Sequence, residues 1–219
     1  MIETLPEKLE VSGDKILITD DIKNSEIHVA ENSNLTMVAL LSKGFEDRRK
    51  LNFHVNGQNS TVNFIGIVIA DGEEKFPFET ASNHYVPNTN AYYYIRSAMF
   101  DKSKIDYKGN LIIKKEAQQT DSYLAHNTLM LSNKAKTDTM PCLEIEADDV
   151  QAGHAAAIGK VDDELLFYLE SRGIDRRQGQ EMLIKGFLEA DLSMINSEAA
   201  RTFITKEIDK KLNARSNAN

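Results

Sequence analysis

Between residues 15 and 146, hydrophobic residues occur in short segments. These segments are separated by clusters of turn-forming residues. The clusters, such as AENSN, NGQNS and ADGEE, are rich in Asn, Asp, Gly and Ser, which is the chemistry of tight turns. Short apolar segments between turns are typical of β-strands. The pattern predicts strands at Lys15–Thr19, Ser25–Val29, Leu35–Leu41, Lys50–Val55, Thr61–Ile69, Ala91–Met99, Asn110–Ile113, Tyr123–Leu131 and Leu143–Glu146.

A coarse repeat runs through these strands. The pair IHV (27–29) and LTM (35–37) resembles the pair FHV (53–55) and VNF (62–64). A repeat of about 25 residues with two or three short strands suggests the coils of a β-solenoid. Periodicity alone leaves an alternative open, because an antiparallel sandwich has similar short strands and turns.

From Asp162 onwards the pattern changes to the helical period. Asp162, Asp175 and Ser197 are candidate N-caps of three helices, and Gly173 follows the first helix at a position that tolerates positive φ. The apolar positions recur every three or four residues; they are Leu165, Leu166 and Leu169, then Met182, Leu183 and Phe187, then Ala200, Phe203, Ile204, Ile208 and Leu212. We therefore expect a β domain over residues 1–160 and a helical domain over 161–219, with a disordered tail, ARSNAN.

Composition restricts the class of protein. The chain has 219 residues, 41% of them hydrophobic and 27% charged, as in soluble globular proteins. The net charge of −8 argues against a broad surface for nucleic acid or anionic membrane. The N-terminus lacks the pattern of a secretory signal, and one cysteine excludes an internal disulfide. We expect a cytoplasmic location.

Three segments together resemble one known family. They are NHYVPNT (83–89), YKGNLIIKKEAQQTDSYLAHNTLMLSNKA (107–135) and DTMPCLEIEADDVQAGHAAAIGKVDDELLFYLESRGIDRRQGQEMLIKGF (138–187). The sequence is similar to the SufB/SufD family, scaffold subunits of the SUF machinery that assembles iron–sulfur clusters. The resemblance implies a right-handed β-helix core with a small C-terminal helical domain. The family usually carries a helical N-terminal extension, so we expect a reduced member here.

The resemblance also implies candidate ligands for a transient iron–sulfur cluster at a subunit junction. His154 matches a histidine of both branches of the family, and a neutral imidazole can bind iron. The alternative is a histidine that packs the helical domain onto the solenoid. His126 stands where SufB-like members have a cysteine, and Ala155 stands where they have a glutamate, so the chain is SufD-like. An exposed strand histidine is the alternative for His126.

Cys142 is the only thiol of the chain. A cysteine can accept sulfur or bind iron, but the family does not place its key cysteine here. Alternation in PCLEIE puts Leu143 and Ile145 on one face of a strand and Cys142 on the other. A small residue on a strand is therefore the alternative. His84 in NHYVPNT is interpreted as a turn or core element.

Partners follow from the resemblance as well. The family pairs SufB-like and SufD-like subunits, and the first two C-terminal helices bind SufC, an ABC-type ATPase. The corresponding residues are Leu165, Phe167, Tyr168, Arg172, Gly173 and Ile174. We expect a SufC-like partner together with a SufB-like or identical subunit. Flavin binding, which some SUF complexes show, stays open.

Motifs of an independent active site are absent from the sequence. It has no GxxxxGK[ST] loop, no GxSxG elbow, no GxGxxG after a strand and no CxxC pair. We therefore expect a protein that is not an enzyme. Two alternatives stay open. One is a β-solenoid enzyme acting on polysaccharide, with carboxylates among residues 144–149; the other is a dimeric interaction module with no metal role.

Overall fold

The computed structural model describes residues 1–216, which form twelve β-strands followed by three α-helices. The strands are β1 Lys8–Val11, β2 Asp14–Thr19, β3 Ser25–Val29, β4 Asn34–Leu41, β5 Arg49–Val55, β6 Thr61–Ala70, β7 Lys75–His84, β8 Asn90–Met99, β9 Lys104–Ile113, β10 Thr120–Met130, β11 Lys136–Ile145 and β12 Val150–Gly159. The helices are α1 Asp163–Ser171, α2 Arg176–Glu189 and α3 Glu198–Ser216, with a 3-10 turn at Leu192–Met194.

Within residues 1–216, the strands form two six-stranded parallel sheets that alternate along the chain. The odd sheet has the order β1-β3-β5-β7-β9-β11, and the even sheet has the order β12-β10-β8-β6-β4-β2. One strand of each sheet makes one coil of a β-solenoid, which confirms the solenoid and excludes the antiparallel sandwich. The predicted repeat is too short for most coils, because stacked residues are 27, 29 and 31 apart at Asn32/Asn59, Thr61/Asn90 and Ala91/Ser122.

Asparagine-rich clusters form the stacked turns of the solenoid. Asn32, Asn59 and Asn88 adopt the left-handed region with φ of 51°, 57° and 55°, where asparagine is tolerated better than most residues. The Asn59 side chain donates to Oδ1 of Asn32 at 3.2 Å, and the Asn59 backbone N–H donates to the carbonyl of Asn88 at 2.9 Å. Each turn is therefore bonded to the turn of the next coil.

The space between the two sheets is filled by large side chains. Phe53, Phe64 and Tyr93 are fully buried and contact one another, with ring centroids 5.4 to 5.9 Å apart. Phe78 and Tyr107 form a second ring pair at 4.8 Å. Each ring comes from a different strand, so burial of these aromatic surfaces stabilises the stacking of successive coils.

The helix signals of the sequence are confirmed. The side chain of Asp162 accepts hydrogen bonds from the first turn of α1, Asp175 does the same for α2, and the hydroxyl of Ser197 accepts from Ala200 N–H in α3. Gly173 has φ +86° after α1. Strands end at Gly159 and helices begin at Asp163, near the predicted boundary. α3 includes the first residues of the tail predicted to be disordered, and residues 217–219 lie outside the described part.

The helical segment packs on the outer face of the even sheet. One hydrophobic cluster joins sheet and helices; it contains Ile18, Val38, Leu40, Ile65, Ile67, Ile69, Ala98, Phe100 and Leu129 from the strand region and Ile184, Leu188, Leu192, Ile195, Ala200, Ile204 and Ile208 from the helical segment. The apolar outer positions lie mostly on β4, β6 and β8, so the helices pack against the middle coils and not against the last coil. The division into two domains stays a prediction, since the two parts share this cluster.

An ion pair fixes the segment between α2 and α3 on the sheet. Nε of Arg96 lies 2.5 Å from Oδ2 of Asp191, and both side chains are less than one-fifth exposed. The Arg96 guanidinium also lies 5.2 Å from the ring centroid of Phe187.

We expect Arg96→Ala to lower the free energy of unfolding by about 2 to 3 kcal/mol, because Asp191 would keep a largely buried charge without its partner. Arg48→Ala is the matched control. The pair of Arg48 with Asp106 is much more exposed, so its loss should cost less than about 1 kcal/mol. Urea unfolding followed by circular dichroism measures both changes. Equal losses in the two variants would contradict a fixing role for the Arg96 pair.

Among the helices of residues 1–216, none has both the length and the apolar character of a bilayer-spanning segment.

Candidate functional site

The last coil, formed by β11 and β12, is the open end of the solenoid. β11 is the outermost strand of the odd sheet and β12 that of the even sheet. Large apolar side chains are exposed there, namely Met140 at 57%, Leu143 at 39%, Ile145 at 41% and Ile158 at 62%. Since exposed apolar side chains concentrated on unpaired strands are typical of interaction surfaces, we take this end as the candidate site.

His154 lies in the middle of β12. It is aligned with Leu124 of β10, whose side chain is buried between the two sheets, so the imidazole lies on the same inner face. It is exposed because the described chain adds no further coil over β12. Ala152 and Gly153 before it belong to a regular strand and not to a flexible strand end, because β12 pairs with β10 along its whole length. The expectation of an accessible histidine at the solenoid end agrees with this position.

His126 lies inside the solenoid rather than on an exposed strand. Its side chain is buried between β10 and β11, with Nε2 at 2.8 Å from the hydroxyl of Ser97 and Nδ1 at 2.8 Å from that of Thr139. Burial lowers the pKa of His126 to about 4 because the charged imidazole is poorly solvated there. Both ring nitrogens have hydroxyl partners, so binding a metal would require His126 to break one of these bonds.

Cys142 is on the outer face of β11, aligned with Asn110 of β9. This confirms that Cys142 and the inward-facing Leu143 are on opposite faces. The thiol is half-buried. Cys142 and His154 therefore lie on different sheets and different faces, and residues 1–216 contain no group of three or more His, Cys, Asp or Glu side chains arranged to hold a metal ion. A complete ligand set at this end would require ligands from outside the described chain.

Two of the acidic residues before β12 form ion pairs on the outer surface. Nζ of Lys114 lies 3.2 Å from a carboxylate oxygen of Glu144 and 2.8 Å from one of Glu146. Lys114 lowers the pKa of Glu146. The polysaccharide-enzyme alternative needs carboxylates free to act as acid and base, and these two are bound to a cation instead.

The residues predicted to bind an ATPase lie at one end of the helical segment. Leu165 is 50% exposed, Phe167 72% and Tyr168 54%, whereas Leu166 is buried toward α2. The Arg172 guanidinium lies 5.2 Å from the centroid of the Tyr168 ring, and half-buried Ile174 follows Gly173 in the loop. Leu166 thus packs on the protein, whereas three other large apolar side chains of α1 are exposed to solvent.

A match to a protein-family model shows the family of this chain. The model described as "SUF system FeS cluster assembly, SufBD core domain" matches residues 19–187, which cover β3 to β12, α1 and most of α2. The chain belongs to the SufB/SufD family. Relatives include the iron–sulfur cluster assembly protein SufD of Escherichia coli, 28% identical over 86% of this chain and 45% of the relative, and SufD of Bacillus subtilis, 32% identical over 67% and 33%.

The SufB of Bacillus subtilis is also similar, with 36% identity over 48% of this chain and 23% of the relative. This chain therefore spans half or less of the length of these three relatives.

The polar residues around His126 were not singled out by the sequence patterns. Thr128 and Thr139 lie within hydrogen-bond distance of His126, and Thr137 is 3.4 Å from Thr128. A second buried chain joins Ser82, His84, Thr89 and Thr120 with separations of 2.8 to 3.0 Å. His84 is thus a core element. The sequence signal for these networks is a run of hydroxyl residues at alternate positions of a strand. Such residues interrupt the alternation of apolar residues on which strand prediction depends.

The two buried histidines should make the protein sensitive to mild acid. Burial lowers the pKa of His84 and of His126 from 6.5 to about 4. The folded state keeps both imidazoles neutral between pH 6.5 and 4, whereas the unfolded chain takes up protons on them below pH 6.5. The free energy of unfolding is therefore highest above pH 6.5 and falls as the pH is lowered toward 4. Each histidine should contribute a slope of about 1.4 kcal/mol per pH unit. We expect His126→Gln to halve the slope measured by urea unfolding between pH 6 and 5; an unchanged slope would contradict the buried neutral state.

Proposed function

We propose that this chain is a non-catalytic scaffold subunit of a SUF-type iron–sulfur cluster assembly complex. In this proposal it pairs through its last coil with a SufB-like or identical subunit, and its helical segment binds a SufC-like ABC ATPase. The match of the family model over most of the chain carries the proposal. A role without an active site of its own agrees with the absence of catalytic motifs in the sequence, and we place the complex in the cytoplasm.

The open end of the solenoid supports subunit pairing. β11 and β12 leave one row each of backbone N–H and C=O groups without a strand partner among the described residues, and such rows bind strands of other chains. Leu143, Ile145 and Ile158 are exposed beside these rows. A partner strand would satisfy the backbone and cover the apolar side chains together.

The side chains at this end could hold a nascent iron–sulfur cluster only if a partner subunit supplied further ligands. The imidazole of His154 is accessible at the open inner face, and imidazole and thiolate are suitable iron ligands. Cys142 lies on the outer face and His126 is buried with both nitrogens bonded. We propose His154 as the main ligand, with Cys142 and His126 as secondary candidates, and a partner that supplies the rest. A chain that supplies few ligands and depends on its partner for the others would have a SufD-like role.

The exposed face of α1 supports ATPase binding. Leu165, Phe167 and Tyr168 are large, apolar and exposed within little more than one turn of α1, which is unusual for a helix that needs one buried face. Arg172, Gly173 and Ile174 extend the same surface into the loop before α2. Closure of two ATPases on ATP binding would then move the helical segments of a scaffold pair and change the junction between them.

Co-expression with a SufC-like ATPase and a SufB-like chain tests the proposal. We expect the three proteins to co-purify, and anaerobic reconstitution with iron and sulfide to load the complex. A glycan-binding assay on the isolated chain should be negative. Failure of the chain to bind either partner would overturn the scaffold role, whereas assembly without retention of iron and sulfide would leave an interaction module with no metal role.

A further inference from the structure

We propose that His28 and His54 form a surface site for one divalent transition-metal ion of the kind that imidazole binds, such as Zn²⁺, Ni²⁺ or Cu²⁺. The two histidines lie on β3 and β5, on the outer face of the odd sheet. The inference does not rest on the proposed function, which places iron and sulfide at the last coil.

Strand stacking brings the two imidazoles together. The neighbours of both histidines along their strands are fully buried, so both imidazoles point to the outer face. His28 is directly aligned with His54 in the parallel register of β3 and β5. The ring centroids are 4.5 Å apart and the ring planes differ by 11°. Two nitrogen ligands from neighbouring coils are therefore next to each other on one surface.

The two imidazoles have the same orientation. Nδ1 of His28 lies 3.0 Å from Nδ2 of Asn56, and Nδ1 of His54 lies 3.1 Å from the hydroxyl of Tyr85. Each partner is on the next coil, two residues beyond the residue that is aligned with the histidine. Equivalent contacts in nearly parallel rings turn both Nε2 atoms to the same side.

These Nδ1 contacts are those of a histidine that binds a metal through Nε2. Metal-binding histidines commonly hold their other ring nitrogen in a hydrogen bond, which fixes the tautomer and the ring orientation. The Tyr85 hydroxyl can accept a proton from Nδ1 of His54, and the Asn56 amide can turn to present its oxygen to Nδ1 of His28. Both Nε2 atoms then offer a lone pair.

The Nε2 side of the pair holds a carboxylate. Nε2 of His54 lies 2.6 Å from Oε2 of Glu26, and Oε1 of Glu26 accepts a hydrogen bond from Asn52 at 2.7 Å. Burial opposes ionisation of Glu26, but the hydrogen bonds from Asn52 and His54 lower its pKa overall. Glu26 is therefore a fixed negative charge beside the two nitrogen atoms.

The neighbouring charges favour a cation. Glu10 of β1 is aligned with His28, and Lys8 of β1 is aligned with Glu26. Nζ of Lys8 lies 2.9 Å from a carboxylate oxygen of Glu10. Two carboxylates and one ammonium thus occupy the aligned positions, and their sum is a negative local charge that attracts a positive ion.

The number and kind of ligands define the class of ion. The part of the chain that the structure describes has no ready group of three or more donors, so His28 and His54 would be the two protein ligands, with water in the remaining positions. Imidazole suits zinc, nickel and copper, whereas calcium and magnesium prefer oxygen. Both histidines are half-buried, and rotation of their side chains would bring both Nε2 atoms to about 2 Å from one ion. Glu26 would accept a hydrogen bond from a metal-bound water.

Zinc binding to the full chain tests the site in a background with Cys142→Ser and His154→Ala, which removes the accessible donors of the last coil. We expect saturable binding of one Zn²⁺ by isothermal titration calorimetry, and His28→Gln or His54→Gln should each weaken it at least about tenfold. Asn110→Gln, on the outer face of β9, is the control and should bind zinc like the background.

A second measurement uses the position of the ion between two coils. An ion that joins β3 to β5 stabilises the folded state, so free zinc at about 100 times its Kd should raise the melting temperature of the background by about 5 to 10 °C. Both histidine variants should lose this shift. Without zinc they should melt within about 2 °C of the background, because the side chains are on the outer face.

Either of two results would overturn the inference: no saturable binding by the background, or undiminished binding by both histidine variants. Electron paramagnetic resonance of bound Cu²⁺ gives a test that needs no change at the site. The background should show coupling to two imidazole nitrogens, and a spectrum without it would contradict the site even if both variants failed to fold. Since this background lacks two of the ligands proposed for the last coil, the outcome leaves the scaffold function to its own test.

Discussion

Changing Arg172 and Ile174 together to aspartate should abolish co-purification of this chain with a SufC-like ATPase. The two side chains lie next to the exposed face of α1, where Arg172 stacks on Tyr168. Two carboxylates would remove that stacking and place negative charge at the edge of an apolar surface. Desolvating an unpaired charge at an interface costs several kcal/mol, enough to remove a complex of ordinary affinity.

The fold should tolerate this double change. Arg172 is exposed and Ile174 is half-buried in a loop, and the N-cap bonds of Asp175 to α2 use neither side chain. Circular dichroism should therefore match the unchanged protein. Thr202→Asp with Lys206→Asp is the matched control, because it makes the same change in net charge at exposed positions of α3. Undiminished complex on size exclusion with the Arg172/Ile174 variant, or equal loss with the control, would contradict the docking site.

The helical part of the fold was predictable because its signals are local. An N-cap side chain binds N–H groups two and three residues away, and Gly173 ends α1 within its own turn. The same holds for the strands with apolar inward positions, such as β3 and β6. These elements depend on near neighbours in the sequence, which a single chain displays directly.

β7 shows why other strands escaped prediction. Its inward positions near the end are Thr80, Ser82 and His84, all buried and polar, so the apolar alternation disappears. Pro77 also interrupts the segment; it precedes Phe78, which is aligned with the first residue of β5. Pro77 thus lies where β5 has not yet begun to pair, a place where a missing N–H is tolerated. The partners that stabilise β7 are some 30 residues away in the sequence.

The candidate site was predictable in part. The opposite faces of Cys142 and Leu143 agree with what strand alternation indicates, whereas the inner-face position of His154 follows from the register of β12 on β10. The burial of His126 and its bonds to Ser97 and Thr139 depend on how β8, β10 and β11 stack. Local sequence carries no information on that stacking, because coil length varies along the solenoid.

His154→Ala should sharply lower the iron and sulfide that the co-expressed complex retains after anaerobic reconstitution. We propose the imidazole as the accessible nitrogen ligand at the open inner face, and loss of one group at a metal site commonly weakens binding about tenfold or more. The side chain is exposed, so its removal should change the melting temperature by only about 1 to 2 °C. Backbone pairing of β12 does not use the imidazole, and the complex should still assemble.

Two further variants separate a ligand from a packing residue. Cys142→Ser should cost less iron and sulfide than His154→Ala, because the thiol lies on the outer face of the other sheet. His126→Ala should lower the melting temperature clearly, since it leaves the buried hydroxyl of Ser97 and the half-buried hydroxyl of Thr139 without their partner. Any loss of iron there would follow from lost stability. Normal cluster content in a folded His154→Ala complex would assign His154 to packing. A loss of iron and sulfide that accompanies unfolding would also assign His154 to packing, because only a loss in a folded and assembled complex identifies a ligand.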